Sequence, residues 1–231
     1  MAITRTVHVY EGPGGIYESM FVGDADAGTQ PGILLFPNFL GTKEWDFAKA
    51  ETLAAQGYKV LVTDFYGQGK RATGPEEASK LMHELVEDRA LMRDKLNAAL
   101  DQLKAAPGVD AGRTGAIGFC LGGKCVIDLA RSGADIKGGV SFHGVYDAPS
   151  FPNATMTAKL PVCHGWEDAL CPPDATVGLA AELTEAGVDW QIHAYGHTGH
   201  GFTADGNPNF SEAANRRSWK AASDFLAEVF A

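Results

Sequence analysis

Apolar residues along this chain gather in short continuous runs, separated by stretches with helical spacing. Residues 32–36, 58–65 and 113–119 are runs of the kind buried on both faces of a parallel sheet, and 137–143, 160–164 and 190–195 read as further strands. Between them, helical spacing appears over 43–56, 75–106 and 124–131, from Pro172-Pro173-Asp174 to near Gly187, and over 209–230. The helix at 43–56 is expected to bury one face carrying Trp45, Ala48, Leu53 and Ala54 and to stop at Gly57. The long stretch from 75 to 106 reads as two helices or one bent helix. At the start of the chain, residues 4–10 and 16–22 flank Gly12-Pro13-Gly14-Gly15, which predicts an antiparallel hairpin.

Strands alternating with helices imply an α/β fold: a mostly parallel central sheet with helices on both faces, preceded by that hairpin. Functional residues in such sheets collect at the carboxyl ends of the strands. The 231 residues, 45% of them hydrophobic, suffice for one substantial core, and no shift of composition divides them, so a single domain over 1–231 is expected. A formal net charge of −10 argues against nucleic acid or an anionic membrane as partner. No run approaches the ~18 apolar residues of a membrane span and the N-terminus lacks an apolar signal core, so a soluble, cytoplasmic protein is expected. Cys120, Cys125, Cys163 and Cys171 form no C-x-x-C pair. They are expected to be free thiols, with no metal site.

One stretch carries chemistry. Gly118-Phe119-Cys120-Leu121-Gly122-Gly123 lies where a predicted strand runs into a predicted helix, the context of a nucleophile elbow, with cysteine in the serine position. Small flanking residues let the backbones approach closely, the helix N-terminus favours an anion, and the Leu121 N–H faces a developing oxyanion. A nucleophile needs a base, and the base needs a group that fixes its tautomer. Of the seven histidines, His8 and His83 fall on surface elements, His143 and His164 end strands and read as structural or pocket-wall groups, and His193 lies within the last strand. His197 and His200 share the loop after that strand. Either can serve as base, and His200, flanked by glycines with Phe202 two residues on, is preferred. Asp168 is the candidate orienting acid, with Glu167 its competitor and a helix-capping role its plain alternative.

With Gly118-Phe119-Cys120-Leu121-Gly122-Gly123, His164-Gly165 followed by Asp168 and Pro172, and Gly199-His200-Gly201-Phe202, the chain resembles the dienelactone hydrolase family of α/β-hydrolases over nearly its whole length. The resemblance implies an α/β-hydrolase fold without a large cap domain, a Cys120-His200-Asp168 triad, and an oxyanion hole from the N–H groups of Leu121 and Phe39. It implies no cofactor, and a small-molecule ester or lactone substrate cleaved through a thioester. Asn38 stands where family members acting on dienelactone carry glutamate. Gln68 and Ala204 stand where carboxylate-binding arginines are expected, with Lys70 and Arg71 the nearest cations. Weak or absent activity on dienelactone itself follows. Asn38, Tyr66, Lys70, Arg71, Tyr146, Trp166, His197 and Phe202 are the candidate substrate-binding residues. The rival readings are a hydrolase-like scaffold that binds a ligand or regulates, and redox sensing through Cys120. A monomer or homodimer fits either.

Overall fold

The computed structural model describes residues 2–231, which fall into two compact units: one reaches to Ala116 and includes Pro149–Pro152, the other holds Ile117–Ala148 and Asn153–Ala231.

In the first unit, β1 (Ile3–Gly12) and β2 (Gly15–Asp24) pair antiparallel from Ile3 opposite Asp24 to Gly12 opposite Gly15. Only Pro13 and Gly14 remain for the turn. Gly14 has φ +81°, the positive value that a type II turn takes after proline and a side chain resists, and the Tyr17 hydroxyl donates to the Pro13 carbonyl. Strand β2 also pairs antiparallel with β4 (Lys59–Val62), and β4 pairs parallel with β3 (Gln30–Phe36). The strand at 58–65 is thus shorter than expected. Beyond Val62 the backbone takes one further bond, Thr63 N–H to Leu35 carbonyl at 3.0 Å, and the Asp64 carboxylate then accepts from Tyr66 and Gly67 to form a turn.

Helix α1 (Glu44–Ala55) corrects the sequence reading of its buried face. Trp45 is 46% exposed and Ala48 is also outside; Asp46, Ala50, Leu53 and Ala54 face inward. Asp46 is turned in because it is the third residue of the helix, and its carboxylate accepts the Lys43 N–H at 3.0 Å. Residues 75–106 form two helices, α2 (Pro75–Glu87) and α3 (Arg89–Ala105). The break is Asp88: it leaves helical geometry at φ −110°, ψ 83°, and its side chain accepts from Leu91 N–H at 2.8 Å, capping α3.

Strand β5 (Val109–Phe119) begins in the first unit and ends in the second. There follow α4 (Leu121–Arg131), β6 (Gly138–Phe142), β7 (Leu160–Gly165), α5 (Pro173–Glu185), β8 (Trp190–Tyr195) and α6 (Glu212–Val229). Strands β6, β7 and β8 are parallel neighbours, and the strand order is β1-β2-β4-β3-β5-β6-β7-β8. The mostly parallel α/β sheet with its antiparallel N-terminal pair is therefore as expected.

Every residue of α4 is buried, its polar ones included. Burying Arg131 and Asp128 costs several kcal/mol of desolvation apiece unless their bonds are met. They are met: Arg131 bonds Asp128 at 3.1 Å, Glu182 at 2.6 and 2.8 Å, and the carbonyls of Tyr146 and Asp147. Lys124 pairs with Asp147. This network ties α4 to α5 and to the loop after β6. Among the described residues, no helix is long and apolar enough to cross a membrane.

Candidate active site

Strand β5 ends at Phe119 and α4 starts at Leu121, so one residue makes the corner. Cys120 does so at φ 56°, ψ −113°, a region costly for a side chain and tolerated where the surroundings over-determine it. Two features fix it. The Cys120 N–H donates to the Phe142 carbonyl at 3.0 Å and its carbonyl accepts from Lys124 at 3.1 Å. The backbones also pack too closely for side chains: a Cβ on Gly118 would sit 2.1 Å from the Gly122 carbonyl oxygen, and one on Gly123 2.7 Å from Ser141 Oγ.

From that corner the Cys120 sulfur reaches Nε2 of His200 at 3.0 Å, and Nδ1 of His200 reaches Oδ2 of Asp168 at 2.7 Å. Three of the residues singled out in the sequence are thus joined in one hydrogen-bonded chain. They come from the ends of β5, β7 and β8. Register explains the last two: β7 and β8 pair in parallel up to Gly165 opposite Tyr195, and their loops stay joined, Trp166 N–H to the Tyr195 carbonyl and Glu167 N–H to the Thr198 carbonyl, both at 2.9 Å.

The electrostatics follow the geometry. The Asp168 side chain has no solvent exposure and His200 has 16%. Burial alone would lower the basicity of His200, but the hydrogen bonds it donates to Asp168 and Cys120 and their charges outweigh it and push the pKa up to about 10. For Asp168, burial acts upward and is outweighed by the His200 bond and charge and by the N–H groups of Leu170 and Cys171, so the carboxyl sits below its ordinary range. His164, fully buried behind them with neither ring nitrogen bonded, is pushed down by burial. An imidazole so placed between a sulfur and a carboxylate is able to take, hold and return a proton.

The other candidates lie as follows. Leu121 opens α4, where the first N–H groups have no intrahelical partner. Tyr146 is buried, its hydroxyl accepting from Gly144 N–H and bonded to Ser141 Oγ, both at 3.2 Å. Phe202 is fully buried, edge-on to His143. Trp166 is 43% exposed. His197 projects into solvent and bonds Glu167 at 3.0 Å, which occupies the competing acid as well.

Asn38, Phe39, Tyr66, Lys70 and Arg71 belong to the first unit. There the Asn38 side-chain oxygen accepts from Leu40 N–H at 2.8 Å, and the Tyr66 hydroxyl donates to the Phe39 carbonyl at 2.7 Å. Arg71 is engaged by Asp64 and by Glu18, Gln68 also bonds Glu18, and Lys70 is exposed.

Sequence reasoning missed the supports of the histidine loop. The Asn209 amide donates to the His200 carbonyl at 3.1 Å, and His143, at φ 37°, bonds Thr203 at 2.8 Å with its ring edge-on to His200 at 5.2 Å. The closing helix expected from Asn209 begins only at Glu212, and no local pattern ties Asn209 to the histidine. Among the described residues no three His, Cys, Asp or Glu side chains are grouped to hold a metal ion.

Comparison with known proteins adds to this geometry. The model of the family described as "Dienelactone hydrolase family" matches residues 18–230. A curated relative, carboxymethylenebutenolidase 2 of Cupriavidus pinatubonensis, is 28% identical over 202 residues, 82% of this chain and 81% of its own. Two solved structures superpose over the full length of both chains: "m3DLH", at 33% identity and TM-score 0.93, and a dienelactone hydrolase-like promiscuous phosphotriesterase, P91, from metagenomic libraries, at 30% and 0.92.

Proposed function

The chain belongs to the dienelactone hydrolase family of ester and lactone hydrolases, and from that premise we propose that it cleaves neutral esters or lactones with Cys120 as nucleophile, His200 as acid and base, and Asp168 as the group that orients His200. The observation that carries this reading is the unbroken chain of hydrogen bonds from sulfur to imidazole to carboxylate, at 3.0 and 2.7 Å.

In the mechanism, His200 carries the proton and Cys120 attacks as thiolate. The sulfur bonds to the acyl carbon, the carbonyl electrons move onto oxygen, and the Leu121 N–H stabilises the oxyanion at the positive end of α4. Collapse expels the alcohol oxygen, which takes the proton from His200 and leaves a thioester. Acylation also removes the sulfur's hydrogen bond and charge, two of the influences that raise the His200 pKa, while Asp168 remains. The imidazole is then less basic than before but still oriented, and it draws a proton from water attacking the thioester. Thiolate leaves, and the resting pair is restored.

Neutral substrates are favoured because the positions expected to hold carboxylate-binding arginines are Gln68 and Ala204, and Arg71 is taken up by Asp64 and Glu18. A neutral phosphotriester meets the same condition, and the 30% identical phosphotriesterase gives specific support for it as a second substrate class. Asn38, whose side-chain oxygen is held in its own loop, leaves cysteine activation to His200.

The test is hydrolysis of paired substrates, a neutral aryl ester and an anionic lactone, by the parent and by Cys120→Ala. The expected result is turnover of the neutral ester that the substitution abolishes, and little of the anionic lactone. Efficient cleavage of the anion would refute the substrate class, and no turnover of any acyl compound would leave a ligand-binding scaffold as the better reading.

A further inference from the structure

Strand β1 stands at one end of the strand order, paired with β2 on one side only. Native proteins blunt such edges with lysine, proline, a bulge or a short strand, because a free row of N–H and C=O groups recruits other strands. Strand β1 has none of these; its charges, Arg5 and Glu11, are of opposite sign. It runs ten residues in unbroken register, carries no lysine or proline, and exposes Val7 and Val9 at 56% and 49%.

The backbone phase shows which groups face outward. Ala25 N–H donates to the Ala2 carbonyl, and the two-residue turn closes on Gly12 and Gly15. In an antiparallel ladder bonded pairs alternate, so even-numbered residues of β1 direct their peptide groups to β2, and Arg5, Val7, Val9 and Glu11 direct theirs outward. On a strand these four also share one face. That face meets α1, where Arg5 bonds Glu44 and Glu51 at 2.6 and 2.7 Å and lies over Phe47.

We infer that β1 pairs antiparallel with β1 of a second copy of this chain, about a two-fold axis through His8. In that register Arg5 lies opposite Glu11 and Val7 opposite Val9, and each appears twice by symmetry. All four positions are ones whose peptide groups point outward, so bonding phase and side-chain match agree. The neighbouring registers of the same phase do worse: centred on Val7, Arg5 faces Val9; centred on Val9, Val7 faces Glu11. Glu11 has no ion pair among the described residues, and Arg5 keeps Nη2 beyond its bonds to α1. The strand is therefore complementary to itself in charge and in apolar surface, which points to a second copy rather than an unrelated strand.

The experiment is sedimentation of the full chain across a wide concentration range, for the parent, Arg5→Glu, Glu11→Arg, and an equimolar mixture of the two variants. Each reversal alone places like charges opposite each other twice and is expected to weaken dimerisation about tenfold or more. In the mixture each new acid faces a base again, so dimer returns. His8→Cys provides an independent reading. Residues on the axis form a non-bonded pair with Cα atoms about 4.5 Å apart, within disulfide reach, so mild oxidation should link two copies where Thr6→Cys does not. A parent that stays monomeric overturns the inference, as does a dimer indifferent to both reversals, which would use another surface. Ester hydrolysis is not part of any readout, so failure here leaves the proposed activity untouched.

Discussion

Oδ2 of Asp168 lies 2.7 Å from Nδ1 of His200, while Oδ1 of the same carboxylate accepts the N–H groups of Leu170 and Cys171 at 2.8 and 3.2 Å. One oxygen is thus spent on fixing the loop after β7 and the other on fixing the imidazole, so the acid both builds its turn and selects the tautomer that directs Nε2 at the sulfur.

Asp168→Asn keeps the turn bonds and loses the tautomer. An amide nitrogen facing Nδ1 favours the form with its proton on Nε2. The expected outcome is a fall in kcat of about 10³–10⁴ together with a lower melting temperature at neutral pH, because the charge that holds the His200 proton is gone, read from steady-state kinetics and thermal unfolding of the same preparation.

His200 makes stability depend on pH. Its folded pKa, about 10, lies above the ordinary 6.5, so the stabilisation is full below pH 6.5 and is lost as pH rises toward 10. The melting-temperature difference between the parent and His200→Gln should therefore shrink from pH 6.5 to pH 10. A constant difference would show that the charged pair contributes nothing.

Gly118→Ala would drive a Cβ into the Gly122 backbone, which cannot yield as a flexible side chain would. Destabilisation of about 3 kcal/mol or more is expected from denaturant unfolding, together with loss of esterase activity in whatever fraction remains folded.

Arg131→Ala removes a partner of buried Asp128 and of half-buried Glu182. Asp128 would lose its guanidinium in the interior and Glu182 its two bonds, and a loss of about 3–5 kcal/mol is expected. Esterase activity per folded molecule should hold, because Arg131 makes no bond to Cys120, Asp168 or His200.

The sequence carried the strand and helix order because continuous apolar runs and turn residues are local signals. The glycines around Cys120 were legible for the same reason: the close approach that requires them is within a few residues. The reading failed where a short polar side chain outcompeted an apolar one. In α1 the period places Trp45 in the core, but the capping bond of Asp46 turns that carboxylate inward and leaves Trp45 outside. The 58–65 run ended early because Asp64 uses its carboxylate to make a turn that its apolar neighbours conceal. Long-range partners left no trace at all. Neither His143 edge-on to His200 nor Arg71 drawn to Glu18 and Asp64 is written in local pattern, since each depends on strand register.

The central claim is that an acyl group passes through the sulfur of Cys120. Intact-mass analysis of acid-quenched protein, mixed briefly with a slowly deacylated aryl ester, tests it most directly. The account predicts an acyl mass increment that maps to the peptide containing Cys120 and is absent from Cys120→Ala. Full turnover by Cys120→Ala, or an acyl group mapped to any other residue, would contradict it.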